Sequence, residues 1–154
     1  MTTTIYFDMD GTIADLYNYN DWLEMLQNEN IEPYANCSPI EIDEVREVLN
    51  SLVGLGWTIG VISWSARNGS KEYNRATRKA KKQWINTYLP GIVSEFHVVK
   101  YGTPKHYVCK VKDSILVDDN ADVRARWHGQ TIDATDSKKM LENLKKLLDT
   151  AVAA

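Results

Sequence analysis

Two pairs of carboxylates near opposite ends of the chain have the spacing of groups that act together. Asp8 and Asp10 follow an apolar run at 5–7, and Asp118 and Asp119 follow another at 115–117. The β-branched and aromatic residues of such runs fit buried strands. Carboxylates are rarely buried unless they are paired or bind a metal, so acids at strand ends indicate a cation site or a catalytic site. The alternative for the first pair is that the Asp-Gly step after it forms only a turn.

The elements that would position these carboxylates alternate between strand and helix along the chain. Strands are predicted at 5–7, 57–63, 96–99, 114–118 and 130–132. Helices are predicted at 14–27, 38–54, 70–88, 119–127 and 136–152, with a loop at 28–37. This alternation predicts an α/β fold: a Rossmann-like, doubly wound parallel sheet of about five strands with helices on both faces. In such a sheet ligands bind at the carboxyl ends of the strands, where the acids lie.

The whole chain, 1–154, is predicted to be one domain with a small helical cap inserted at about 14–37. Ser38 and Glu41 are three residues apart in the pattern of a capping box, which predicts that the next helix begins there. With 154 residues, 44% of them hydrophobic and 25% charged, the chain can bury a core of its own.

Composition also restricts the partners and the compartment. A net charge of −3 argues against a general nucleic-acid coat protein or an anionic membrane surface as partner. Cys37 and Cys109 have no metal-binding or redox spacing, and they suit a reducing cytoplasm. No leader precedes the first strand and no apolar run approaches ~18 residues, so we expect a cytoplasmic protein without a membrane anchor. The oligomeric state is not predicted.

Several polar groups that are far apart in sequence should meet at one edge of the sheet. They are Asp8, Asp10, Ser63, Asp118 and Asp119, with a lysine that is either Lys105 or Lys100. Four carboxylates repel one another unless a hard cation lies among them, and oxygen ligands without histidine or cysteine favour Mg²⁺. A lysine beside this cluster suits an additional anion such as a phosphate.

These groups could carry out phosphoryl transfer. One carboxylate can attack phosphorus and form an aspartyl-phosphate. A second carboxyl group can protonate the leaving alkoxide and later accept a proton from water. The second acid, Asp10, suits an alkoxide leaving group such as that of a phosphate ester, because an alkoxide needs a proton.

Four motifs in this order resemble those of the haloacid dehalogenase superfamily. They are Asp8-Met9-Asp10-Gly11-Thr12, Val61-Ile62-Ser63, a lysine, and Leu116-Val117-Asp118-Asp119. The resemblance implies that Asp8 is the nucleophile and a magnesium ligand, and that Asp10 is the general acid and base and binds magnesium through its carbonyl. It further implies that Ser63 binds phosphate and that Asp118, with Asp119, completes the magnesium site. Lys105, which follows a proline shortly before the last motif, is favoured over Lys100 because small deoxyribonucleotidase-type members have a similar spacing.

The short insertion predicts a minimally capped, open site. The residues expected to contact a small phosphorylated substrate are Met9, Thr12, Tyr19, Trp64 and Arg67. Aromatic residues of the insertion could stack on a nucleotide base. Tyr19 and Tyr34 are the favoured candidates for stacking, whereas Trp22 is expected to pack the cap onto the body.

The helix at 70–88 carries many basic residues. Its apolar stripe, formed by Tyr73, Thr77, Ala80, Trp84 and Tyr88, accounts for the fold. The basic side, to which Lys81 is assigned, is therefore predicted to be solvated, although it could steer a multiply charged substrate. The segment Ser63…Lys81-Lys82-Gln83-Trp84-Ile85 is similar to 5′(3′)-deoxyribonucleotidase-like proteins, which favours nucleotides. The alternatives are a phosphatase acting on nucleic-acid ends, docked on this helix, and a non-catalytic phosphate-binding module, which the intact Asp8 and Asp10 disfavour.

Overall fold

Five strands form one parallel sheet in the computed structural model, which describes residues 3–109 and 111–154. The strands are β1 (Thr4–Phe7), β2 (Thr58–Trp64), β3 (Val93–Val99), β4 (Ile115–Asp118) and β5 (Thr131–Asp133). Their order across the sheet is β3-β2-β1-β4-β5, and every neighbouring pair is parallel. This order confirms the predicted doubly wound sheet, with β1 at its centre.

Helices cover both faces of the sheet. They are α1 (Trp22–Gln27), α2 (Glu32–Asn36), α3 (Ile42–Gly54), α4 (Lys71–Tyr88), α5 (Lys105–Val108), α6 (Ala121–Arg126) and α7 (Ser137–Ala153). Ile5 and Phe7 of β1 share a core cluster with residues of α3, α4 and α7. Tyr6, which lies between them, belongs to a smaller cluster that includes residues of α5 and α6. The side chains of β1 therefore alternate between two packed faces.

The cap differs from its prediction in two places. The predicted helix at 14–27 is split into a 3-10 turn at Leu16–Asn18 and the short α1, because the backbone at Asp21 adopts a left-handed conformation (φ 58°). The predicted loop at 28–37 contains α2. Pro33 lies in the first turn of α2, where a proline is tolerated. Tyr34 packs against Tyr73 of α4, so tertiary contact supports a helix that propensity alone does not indicate.

The predicted capping box at Ser38 and Glu41 is wrong. The helix begins only at Ile42, and Glu41 precedes it with a φ of 50° and no side-chain cap. The backbone around Ser38 is used elsewhere, since the Ser38 carbonyl accepts a hydrogen bond from the Asp15 N–H and Pro39 forms a β-bridge with Ala14. These contacts tie the two ends of the cap insertion together.

The remaining elements agree with their predictions within a few residues, apart from α5, which is a short helix that the pattern did not indicate. None of the helices in the described part of the chain has the length and apolar character needed to cross a bilayer.

Candidate active site

Three carboxylates converge at the carboxyl edge of the sheet. One oxygen each of Asp8, Asp118 and Asp119 can be chosen so that all three lie within 4.8 Å of one another. The sheet produces this cluster because β1 and β4 are neighbours and pair in register, with Phe7 beside Val117. Residues over a hundred positions apart in sequence therefore meet directly after the ends of two adjacent strands.

Lys105 lies within this cluster. Its Nζ donates hydrogen bonds to Asp8 Oδ1 and to Asp118 Oδ2, both at 2.8 Å, and its side chain is only 3% exposed. Burial alone would lower the pKa of Lys105, but Asp8 and Asp118 raise it above its usual value, so the side chain is charged. Lys100 is exposed. Of the two lysines considered from the sequence, the structure brings Lys105 to the carboxylates.

The cluster still holds more negative charge than one lysine can balance. Burial, followed by the nearby charge of Asp8, raises the pKa of Asp118, and the same causes raise the pKa of Asp119 to about 8. Carboxyl groups whose pKa is raised by burial and by neighbouring carboxylates are typical of a site that binds a cation. Carboxylate oxygens are also the ligands that Mg²⁺ prefers, so the residues present fit this ion.

A second buried lysine, Lys81 of α4, holds the other motif carboxylate. Its Nζ donates to Asp10 Oδ2 at 2.8 Å, to Ser63 Oγ at 2.7 Å and to the Trp64 carbonyl at 2.7 Å. Lys81 is 1% exposed, and its Nζ lies 4.7 Å from the ring centroid of Tyr34 in the cap. Burial raises the pKa of Asp10, and Lys81 opposes this rise.

Sequence reasoning missed Lys81 by assigning it to the solvated side of the helix. A signal was present in its position. Lys81 lies four residues after Thr77 and three before Trp84, both of which the predicted apolar stripe contains, so helical geometry places it on the buried face. A lysine there requires buried acceptors, and the structure supplies three.

The Ser63 side chain is fully buried and is not among the residues that line the cleft, although the next residue, Trp64, lines it. Its Oγ accepts the hydrogen bond from Lys81, and its own hydroxyl proton has no acceptor among residues 3–109 and 111–154. The serine is therefore a buried donor that a bound oxyanion would satisfy.

Two motif residues expected to contact substrate are placed elsewhere. The Met9 side chain is 1% exposed and packs in the main core, because it points away from the strand ends. The Thr12 hydroxyl is buried and donates to Asp8 Oδ2 at 3.1 Å, so it orients a carboxylate and does not line the cleft. Gly11 lies between them with a φ of 81°, and a Cβ there would come within 2.4 Å of Asp119 Oδ2. The loop therefore requires glycine at this position.

A cleft of about 800 Å³ opens above the carboxylates, with aromatic rings on both sides. On the cap side Tyr17 and Trp22 pack edge to face, with ring centroids 4.9 Å apart. On the opposite side Trp64 and Tyr101 do the same at 5.1 Å. Arg67, 6.0 Å above the Tyr101 ring, completes this wall.

Of the aromatic residues in the cap, Tyr19 is the one whose position differs from its prediction. Tyr19 packs against the main core and does not line the cleft, because the 3-10 turn directs it toward the sheet. Trp22 packs as expected against a cluster that joins the cap to α4, and it also lines the cleft together with Tyr17. Tyr34 lines the cleft as expected. Trp64 and Arg67 also line it, in agreement with their prediction as substrate contacts.

Comparison with solved structures identifies a similar chain. A D,D-heptose 1,7-bisphosphate phosphatase from Burkholderia thailandensis aligns with a TM-score of 0.57 over 96% of this chain and 99% of that one. The two chains share one fold. Because only 11% of the aligned residues are identical, the likeness shows the fold alone, and it agrees with the haloacid dehalogenase-like fold that the four motifs predict. No family model and no curated protein matches the sequence.

Proposed function

We propose that this protein is a Mg²⁺-dependent phosphomonoester hydrolase that acts on nucleotides through an aspartyl-phosphate at Asp8. The observation that carries the proposal is the position of Asp8 at the cleft floor, between the positive charge of Lys105 and the two further carboxylates Asp118 and Asp119. The structural neighbour is described as a phosphatase of a bisphosphorylated sugar, which supports hydrolysis of phosphate esters on this fold.

The reaction divides into two displacements. In the first, a carboxylate oxygen of Asp8 attacks phosphorus and the bond from phosphorus to the ester oxygen breaks, while Asp10 gives its proton to that oxygen. In the second, Asp10 takes a proton from water, the water oxygen attacks phosphorus, and the bond to Asp8 breaks. Burial raises the pKa of Asp10, which favours the protonated form that the first step requires.

The chain's own residues hold the transferring group. Lys105 has two acceptors among the described residues, which leaves one N–H for a phosphoryl oxygen. The unpaired proton of Ser63 is a second donor for such an oxygen. Asp8, Asp118 and Asp119, with the carbonyl of Asp10, would hold Mg²⁺. When bound, the ion supplies positive charge that stabilises the phosphoryl oxygens.

Nucleotides are proposed as substrates because of the aromatic walls of the cleft. A nucleobase offers a planar face for stacking, and each such contact contributes roughly 1–3 kcal/mol. The rings of Tyr17 and Trp22 face the cleft from the cap, and those of Trp64 and Tyr101 from the opposite side. A sugar phosphate without a base offers these rings no planar face for stacking.

The test is phosphate release from a panel of nucleoside monophosphates, an aryl phosphate and sugar phosphates, with and without Mg²⁺. We expect release that requires Mg²⁺, is fastest for nucleotides and disappears in Asp8→Asn. A ranking led by sugar phosphates would contradict the nucleotide assignment. No release from any substrate, by a folded protein that binds Mg²⁺, would contradict hydrolysis and favour a phosphate-binding module.

A second candidate, a phosphatase of nucleic-acid ends, is supported by the outer side of α4. Four exposed cations lie at helical spacing along it: Lys71, Arg75, Arg78 and Lys82. In the described part of the chain none of them forms an ion pair, and Arg78 packs on the Phe96 ring. The helix begins at the cleft rim, where Glu29 accepts hydrogen bonds from Ser70.

Salt dependence distinguishes the two candidates. Four phosphate contacts on a single strand predict a slope of about −3 in log affinity against log salt, whereas a mononucleotide has only its own phosphate. We expect Arg75→Gln/Lys82→Gln to reduce this slope for a 5′-phosphorylated oligonucleotide, with Lys139→Gln/Lys146→Gln on α7 as the charge-matched control. Equal slopes for oligonucleotide and mononucleotide would exclude this candidate.

A further inference from the structure

Lys81 has a set of contacts that the proposed reaction does not explain. A lysine ammonium has three hydrogens, and within the described residues all three are taken by Asp10, Ser63 and the Trp64 carbonyl. At 1% exposure, no part of it is open to the cleft. Lys81 therefore has no donor left for a substrate, in contrast to Lys105.

Two of the contacts link Lys81 to the end of β2. The Ser63 hydroxyl and the Trp64 carbonyl are consecutive acceptors at the point where the strand ends, and they hold the ammonium from one side. The ring of Tyr34 lies 4.7 Å from the ammonium and excludes water from it. The remaining N–H is thus directed at Asp10 Oδ2 by groups that belong to the sheet and the cap.

The direction of each hydrogen bond has a chemical consequence, because an ammonium can only donate. Asp10 Oδ2 accepts from Lys81, and because a carbonyl oxygen is a better acceptor than a hydroxyl oxygen, this contact favours a carboxyl proton on Oδ1. Ser63 Oγ also accepts from Lys81, so the serine's own proton must point elsewhere. One cation thereby fixes the orientation of two protons that the proposed reaction uses.

We propose that Lys81 is a positioning residue that presents Asp10 Oδ1 to the leaving oxygen and turns the Ser63 proton toward the phosphoryl group. The proposal rests on the proposed hydrolase function. It assigns Lys81 no contact with substrate, so its loss should affect the steps that Asp10 and Ser63 perform and leave nucleophilic attack by Asp8 largely intact.

The test separates these steps by leaving group. Nitrophenolate leaves without a proton, whereas a nucleoside alkoxide needs one. With p-nitrophenyl phosphate, Lys81→Met should release a burst of about one equivalent of nitrophenol within about tenfold of the wild-type rate and then turn over slowly. With a nucleoside monophosphate, its kcat should fall by roughly 10²–10³-fold without a burst. Lys79→Met, an exposed neighbour on the same helix, should match the wild type.

A purely structural role would give a different result. Partial misfolding lowers the amplitude for both substrates by the same factor, and that outcome would overturn the proposal. A double variant keeps the proposal testable if Lys81→Met alone does not fold. Asp10→Asn/Lys81→Met leaves no unpaired buried charge, and it should be within about threefold of Asp10→Asn alone on nucleotides. A further loss as large as that of Lys81→Met in the wild-type background would contradict positioning through Asp10.

A crystal structure of Lys81→Met tests the geometry without relying on turnover. We expect the Asp10 carboxyl group or the Ser63 hydroxyl to adopt other rotamers. If both keep their wild-type positions, the proposal fails whatever the activity. If the wild type releases no phosphate, the hydrolase assignment fails, while the crystal structure still decides whether Lys81 positions these groups.

Discussion

The two buried lysines of the cleft have the same chemistry but different surroundings. Lys105 begins the short helix α5 and contacts two carboxylates that belong to the candidate metal cluster. Lys81 lies in the middle of α4 and contacts one carboxylate outside that cluster, together with a hydroxyl and a carbonyl. The acceptors of Lys105 are candidate ligands of a cation, whereas two of the three acceptors of Lys81 lie at the end of β2.

This difference indicates that the two lysines act differently within one site. Lys105 has an N–H to spare among the described residues and lies beside Asp8, so it can bind the phosphoryl group directly. All three donors of Lys81 are engaged by the protein, so it can act only through the groups that it holds. A remaining N–H and contact with the candidate metal cluster therefore distinguish Lys105 from Lys81.

Replacing either lysine should have its greatest effect on stability, and Mg²⁺ should affect the stability of the two variants differently. Removing one partner of a buried ion pair costs about 3–5 kcal/mol, so Lys105→Met and Lys81→Met should both lower the free energy of unfolding by about this amount. Mg²⁺ can replace the charge of Lys105 because Asp8 and Asp118 are among its candidate ligands. Asp10 Oδ2 is not among the candidate ligands, so we expect that Mg²⁺ cannot replace the charge of Lys81.

Denaturant unfolding of both variants with and without Mg²⁺ provides the measurement. We expect Mg²⁺ to restore most of the lost stability of Lys105→Met and little of that of Lys81→Met. If Mg²⁺ restored the stability of both variants equally, the two lysines would not differ in their relation to the candidate metal cluster.

An intermediate effect concerns protons at the metal cluster. The pKa of Asp119, raised to about 8, means that this group is largely protonated at pH 7 without a cation. Binding of Mg²⁺ should then release close to one proton, and the apparent affinity should rise with pH until about pH 8 and level off above it. Calorimetry in buffers of different ionisation enthalpy measures this release directly.

The same calorimetric experiment on a variant of each lysine tests whether the two lysines differ in their effect on proton release. Lys81→Met should release the same number of protons as the wild type, since it contacts none of Asp8, Asp118 or Asp119. Lys105→Met should change the number. No proton release by the wild type at pH 7 would mean that the cluster is already ionised without metal.

A smaller effect is expected at the aromatic residues that line the cleft. Tyr17→Leu and Tyr101→Leu should each raise KM for nucleoside monophosphates by about tenfold, since base stacking contributes roughly 1–3 kcal/mol. KM for a sugar phosphate should not change. Tyr107→Leu is the control, because this tyrosine is 75% exposed and does not line the cleft. If KM rose equally for nucleoside monophosphates and for the sugar phosphate, these rings would serve packing and would not stack on a base.

The sequence predicts the sheet and one half of the site well, for physical reasons. Buried parallel strands appear as apolar runs, and the carboxylates after β1 and β4 mark their ends. The resemblance to known motifs selects Lys105, and the structure places it against Asp8. The strands and the acids at their ends can be predicted because each is marked by a short, local pattern in the sequence.

The cap and Lys81 depend on tertiary contacts that a local pattern does not show. The α2 helix contains a proline and two residues of low helix propensity, and it forms where Tyr34 can pack on Tyr73 of α4. Lys81 was assigned to solvent by its charge, although its helical position is on the buried face. Its acceptors come from a loop and a strand end that only the folded chain brings together.

A covalent phosphoryl group on Asp8 is the species that distinguishes the proposed reaction from direct hydrolysis by water. Asp10→Asn should still transfer phosphate from p-nitrophenyl phosphate to Asp8 in the presence of Mg²⁺, but it should lose the base that activates water for the second step. Mass spectrometry of the acid-quenched protein should then find one phosphoryl group on the peptide that contains Asp8. Catalytic phosphate release by Asp8→Asn, or turnover by Asp10→Asn without any covalent phosphate, would contradict the account.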